Sequence, residues 1–137
     1  VSSDTAHYCV SEVRLGLIPA TISPYVIRAM GARAAHRWFL TAERFGAAEA
    51  LRMGFVHAVV PAGELDVAVD RLVQAVVAAG PNALRECKKL VQDVAEHDIT
   101  PALVERTVQG IADIRASDEG REGIQSFLNK RKPAWQP

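Results

Sequence analysis

From Pro61 to its C-terminal end the chain repeats one pattern, apolar residues spaced three and four apart. Leu65, Val69, Leu72, Val73, Val76 and Val77 form a first stripe, which Gly80-Pro81-Asn82 breaks. Ala83, Leu84, Cys87, Leu90, Val91 and Val94 form a second. Thr100-Pro101 opens a third helix, with Glu105 as partner for its first turn and Leu103, Val104, Val108 and Ile111 on its apolar face. Ser117-Asp118-Glu119 caps a last one holding Ile124, Phe127 and Leu128. Amphipathic helices without a large sheet make a poor independent core at this size. They are expected to need a partner surface.

The residues before Pro61 are mixed. His7-Tyr8-Cys9-Val10 reads as a short strand. Ser11 to Pro19 reads as a loop or turn with an apolar lining. Ser23-Pro24 is a helix start, Ser23 serving as N-cap and Pro24 as first helical residue. That helix should stop at Gly31, and a second should run from Ala32 to about Leu40 with Ala35, Trp38 and Phe39 on its apolar side. Ala47 to Met53 is a short helix closed by Gly54. Phe55 to Val60, rich in β-branched residues, is the clearest strand. The fold class read from this order is α/β.

Composition removes several functions. Sixteen basic residues balance sixteen acidic ones among 137, so there is no electrostatic reason to expect nucleic acid or a membrane surface. No apolar run approaches the roughly 20 residues that span a bilayer. The opening residues from Val1 have neither a basic nor an apolar signal region, and they read as a processed start or a point inside a longer protein. Cys9 and Cys87 lack metal-like spacing and read as reduced thiols, from which a cytoplasmic setting is expected. His7, His36, His57 and His97 are scattered and suggest no metal site.

Three stretches follow one another in order. Ser11-Glu12-Val13-Arg14-Leu15-Gly16-Leu17-Ile18-Pro19 is the first. Leu40-Thr41-Ala42-Glu43-Arg44-Phe45-Gly46-Ala47-Ala48-Glu49-Ala50 with Gly54-Phe55-Val56 is the second. Glu119-Gly120-Arg121-Glu122-Gly123-Ile124-Gln125-Ser126-Phe127-Leu128-Asn129-Lys130-Arg131-Lys132-Pro133 is the third. Each alone is weak; in series they resemble the crotonase (enoyl-CoA hydratase/isomerase) family. The resemblance implies a C-terminal half: the end of the family's spiral core over residues 1–61, then a mostly helical trimerisation region over 62–137. It implies a homo-oligomer, trimer or hexamer, acting on an acyl-CoA thioester. It also implies a missing N-terminal half with most of the ββα turns, both backbone donors of the oxyanion hole, most of the CoA surface and, in hydratases, a second glutamate. The string from Ser11 to Val26 is most similar to hydratases of branched glutaconyl-CoA thioesters, such as 3-methylglutaconyl-CoA. An enoyl-CoA isomerase of the same family, or a non-catalytic helical oligomerisation module, are the alternatives.

The family's chemistry passes through a thioester enolate, stabilised by two backbone donors while carboxylates move protons and activate water. Glu12 matches the position that gives or takes a proton at the α-carbon. The apolar run Val13, Leu15, Leu17 and Ile18 beside it would exclude water. Taken alone, a glutamate at a turn is a surface residue, so the resemblance carries the role. Cys9 would line the acyl pocket, or simply pack. Ala20, in Ala20-Thr21-Ile22-Ser23, would shape the site near the attacking water, or merely lead to the next helix. Lys130 would pair with the CoA phosphates of a neighbouring subunit while Trp135 anchors the tail. No metal is implied, and no cofactor beyond the coenzyme A of the substrate.

Overall fold

The computed structural model describes residues 1–95 and 97–136. The chain divides into two compact units, Val1–Arg71 and the residues from Leu72 onward.

The first unit is tied by two very short strand pairs. β1 (Ser2–Ser3) runs parallel to β4 (Val59–Val60), and β2 (His7–Tyr8) runs antiparallel to β3 (Phe45–Gly46). Asp4 extends the first clasp, its carboxylate accepting the Ala62 N–H at 3.1 Å. The strand expected over Phe55 to Val60 is thus cut to its last two residues. The N–H groups of Phe55 and Val56 bond instead to the Ala50 carbonyl, at 2.9 and 3.3 Å, while both side chains pack on the core. The apolar run that looked like a strand is a turn covering the end of a helix. His7 to Val10 is likewise shortened to His7–Tyr8.

α1 (Ser23–Thr41) begins where Ser23-Pro24 places it, but Ser23 is not the cap. Its hydroxyl donates to the Ala20 carbonyl at 3.0 Å, and Ile22 takes the cap position. Gly31 interrupts the helix at φ 79°, ψ 154°, a conformation open only to glycine. α2 (Ala47–Arg52) follows β3, and Gly54 turns the chain out of it at φ 75°. Between these elements Met30, Ala35, Trp38, Phe45 and Ala50 form the core, with Tyr8, Phe39, Met53 and Phe55 against it. The rings meet in offset and edge-on pairs: Trp38–Phe45 at 4.7 Å, Tyr8–Phe55 at 5.2 Å and Tyr8–Phe45 at 5.5 Å between centroids. The Trp38 indole N–H is satisfied by the Met53 sulfur at 2.8 Å.

α3 (Leu65–Val77) runs across the division. The second unit adds α4 (Pro81–Val94), α5 (Pro101–Ala116) and α6 (Asp118–Leu128). Thr100 caps α5 by accepting the Leu103 N–H at 3.2 Å. Ser117 caps α6 through the Gly120 N–H at 3.0 Å. Gly120 sits so close to the Ile114 carbonyl that a Cβ there would overlap it. Among the described residues Leu103 is this unit's one buried large apolar side chain. The stripes legible in the sequence point outward: Leu72, Val91, Ile111 and Phe127 are all more than half exposed. Helices this open gain little from burial within the chain.

Candidate functional site

Glu12 opens a 3-10 turn, Glu12–Leu15, immediately before α1. The turn closes because Gly16 adopts φ 72°, which lets its N–H reach the Val13 carbonyl at 3.2 Å and the Leu17 N–H reach the Glu12 carbonyl at 3.1 Å. The Glu12 side chain is half-buried, and no residue of the turn is fully buried. The apolar lining expected to exclude water does not close over it. Leu15, Leu17 and Ile18 are 75 %, 59 % and 76 % exposed. They form an uncovered apolar rim beside a carboxylate.

From this turn also reaches a group that sequence reasoning did not single out. The Arg14 guanidinium donates to the Ala42 carbonyl at 2.7 Å. Ala42 is fully buried and adopts the left-handed conformation, φ 49°, at the C-terminal end of α1. The Cys9 thiol reaches the same carbonyl at 3.5 Å. Cys9 is exposed rather than part of a closed pocket. Arg14 was legible as the cation two residues beyond Glu12, and Ala42 as a non-glycine at the end of a helix. Their meeting was not legible, because it joins positions 28 apart.

Ala20 is exposed and lies in a bend where its N–H bonds to the Ile18 carbonyl at 2.8 Å. Its own carbonyl receives the Ser23 hydroxyl. Ala20 therefore links Ile18 to the start of α1, whereas Cys9 converges with Arg14 on Ala42.

Lys130 belongs to the second unit. It ends α6 in the left-handed conformation, φ 52°, and is exposed. The tail behind it is clasped. Arg131 donates both guanidinium nitrogens to the Glu122 carboxylate, at 2.6 and 2.8 Å, and the Ala134 N–H adds a bond at 2.9 Å. These donors hold the Glu122 carboxyl down at about 2, Arg131 contributing most. Trp135 and Gln136 donate to the Ala78 carbonyl at 3.1 and 2.6 Å. The anchoring role expected of Trp135 thus has a defined receptor. Among the described residues no group of three or more His, Cys, Asp or Glu side chains is placed to hold a metal ion. Nor, among the described residues, is any helix long and apolar enough to cross a membrane.

The model of the enoyl-CoA hydratase/isomerase family matches residues 1–137. The chain is 31 % identical to the enoyl-CoA hydratase AKT6-1 of Alternaria alternata, covering 96 % of this chain and 44 % of that protein. The crystal structure of an enoyl-CoA hydratase from Shewanella pealeana superposes with a TM-score of 0.91 at 43 % identity, over 97 % of this chain and 49 % of that one. Pseudomonas aeruginosa AtuE gives 0.89 at 34 %, over 98 % and 52 %. The chain thus spans about half the length of the relatives it matches. These findings support the fold expected from the motifs and correct the position assigned within it. The family match takes in the whole chain, residues 1–137, and the assignment to a C-terminal half is not upheld.

Proposed function

Because this chain belongs to the enoyl-CoA hydratase/isomerase family, we propose that its full-length protein adds water across the α,β double bond of an acyl-CoA thioester, with 3-methylglutaconyl-CoA as the substrate type. The observation that carries this is Glu12: a half-buried carboxylate on a closed turn, at the position matching the family's proton-transfer glutamate and flanked by an apolar rim. In this reading Glu12 exchanges a proton with the α-carbon as the thioester oxygen takes on negative charge. The thioester oxygen needs donors to stabilise its developing charge, and because this chain spans about half the length of its relatives, turnover is to be measured on the full-length protein. The acyl group lies along Leu15, Leu17 and Ile18, near Cys9 and Ala20, and Lys130 meets the CoA phosphates of a neighbouring subunit.

The outward-facing stripes of α3, α4 and α5 support a homo-oligomer, trimer or hexamer, in which they are covered. The deciding experiment is Glu12→Gln in the full-length protein, assayed with 3-methylglutaconyl-CoA and crotonyl-CoA. The amide keeps the shape and loses the proton transfer, a step worth roughly 10²–10⁴ in rate. Binding should persist while turnover collapses; a variant keeping most of its kcat would show that Glu12 does not carry the reaction.

A further inference from the structure

We infer that Arg14 is a positioning residue, whose guanidinium on the Ala42 carbonyl fixes the turn that carries Glu12. The inference rests on the reading of Glu12 above. A single 3-10 turn has few hydrogen bonds of its own and is not stable in isolation. This one has a few local ones, among them those from the N–H groups of Arg14, Gly16 and Leu17. None of its residues is fully buried and Val13 is only half-buried, so apolar packing holds it weakly. A directed tie to the rest of the unit is the 2.7 Å bond from Arg14.

The acceptor is well suited to the task. Ala42 lies at the negative end of the α1 dipole, where a cation is stabilised. A charged donor makes the bond shorter and stronger than a neutral one. The anchor is itself held from both sides. The Thr41 hydroxyl donates to the Arg37 carbonyl at 2.8 Å and accepts the Glu43 N–H at 3.3 Å. Fixing Arg14 therefore fixes Glu12, two residues earlier on the same turn. A displacement of about 1 Å at a reacting group can cost roughly a hundredfold in rate.

The test uses the full-length protein with R14M, R14K and E12Q. Turnover is measured with crotonyl-CoA and 3-methylglutaconyl-CoA, and amide hydrogen exchange is followed at Gly16 and Leu17. R14M should lower kcat by about 10–100-fold with little change in KM. Exchange at the two amides should accelerate about tenfold, the counterpart of about 1.4 kcal/mol of lost local stability. R14K, which keeps a cation but not the planar fork, should recover part of both. Unchanged exchange in R14M, or a raised KM at full kcat, overturns the inference, the latter marking Arg14 as a substrate-binding group. Full turnover by E12Q would instead sink the reading of Glu12, and the exchange rates alone would then decide whether Arg14 holds the turn.

Discussion

Glu119 closes the start of α4 from a distance: its Oε1 accepts the Ala83 N–H at 2.8 Å, while its other oxygen accepts that of Asn82 at 2.9 Å. A helix begins with N–H groups that have no partner inside it. In α4 two of them are satisfied by a carboxylate from α6, 36 and 37 positions along the chain. The negative charge also faces the positive end of the helix dipole. A Cβ at Gly80 would meet the Glu119 carboxylate and force that side chain to shift.

Glu119→Ala should therefore lower stability by about 1 kcal/mol, the usual worth of a helix cap. Glu119→Gln, which keeps one acceptor oxygen, should lose less. Urea unfolding followed by circular dichroism measures both. Equal stability of the three proteins would mean that water replaces the carboxylate without cost.

Gly120→Ala tests the corner between α5 and α6. The added methyl would overlap the Ile114 carbonyl, and backbone cannot swing aside as a side chain can. Overpacking of this kind costs about 1–3 kcal/mol. Gly110, in the middle of α5, has nothing near its Cβ position and supplies the control. Gly110→Ala should be neutral or stabilising by up to about 1 kcal/mol. A thermal melt in which both behave alike would contradict the assigned corner.

The Glu122 clasp predicts a pH dependence. Its carboxyl is held at about 2 in the fold against an ordinary 4.5. A depressed carboxyl contributes stability that is complete above the unfolded value and lost as pH falls through the folded one. The tail should thus stay clasped at neutral pH and loosen from about pH 4.5 down to 2. An NMR titration of the Glu122 side chain gives the midpoint directly. A midpoint at the ordinary value would mean that the Arg131 pair does not persist in water.

Lys130→Ala in the full-length protein should raise KM for a CoA thioester several-fold with little change in kcat, the mark of lost uniform binding. Lys130 is exposed, so salt should weaken the effect, with screening over roughly 8 Å at physiological ionic strength. A pantetheine thioester, lacking the nucleotide phosphates, should show no penalty. An equal rise in KM for both thioesters would trace the effect to tail packing.

Where the chain bends was legible because bends depend on local chemistry. Gly31, Gly54, Thr100 and Ser117 all sit at the breaks and caps read from composition. The strands were not legible, because pairing is decided by distant residues. Val59–Val60 pairs because Ser2–Ser3 is there to meet it, while Phe55 and Val56, equally β-prone, find Ala50 first. The same limit applies to the candidate site. Glu12 stood out through the motif around it, but Arg14 and Ala42 became a pair only once α1 was folded. The apolar stripes were read correctly as stripes. Their periodicity shows where a helix would bury a face, and nothing in it says whether this chain supplies the cover.

The clasp between the first residues and β4 also sets an order of events during synthesis. Asp4 must wait for Ala62, 58 positions later, before its carboxylate finds the N–H it accepts. Closing a loop of that length costs about 3–4 kcal/mol of chain entropy by logarithmic scaling, before any constant term. α5 and α6, joined through the Ser117 cap, need no such wait. At about 5–20 residues per second, the first unit can close only several seconds after its own N-terminal residues have been made. Until then β1 has no partner strand, since Ser2–Ser3 pairs with Val59–Val60.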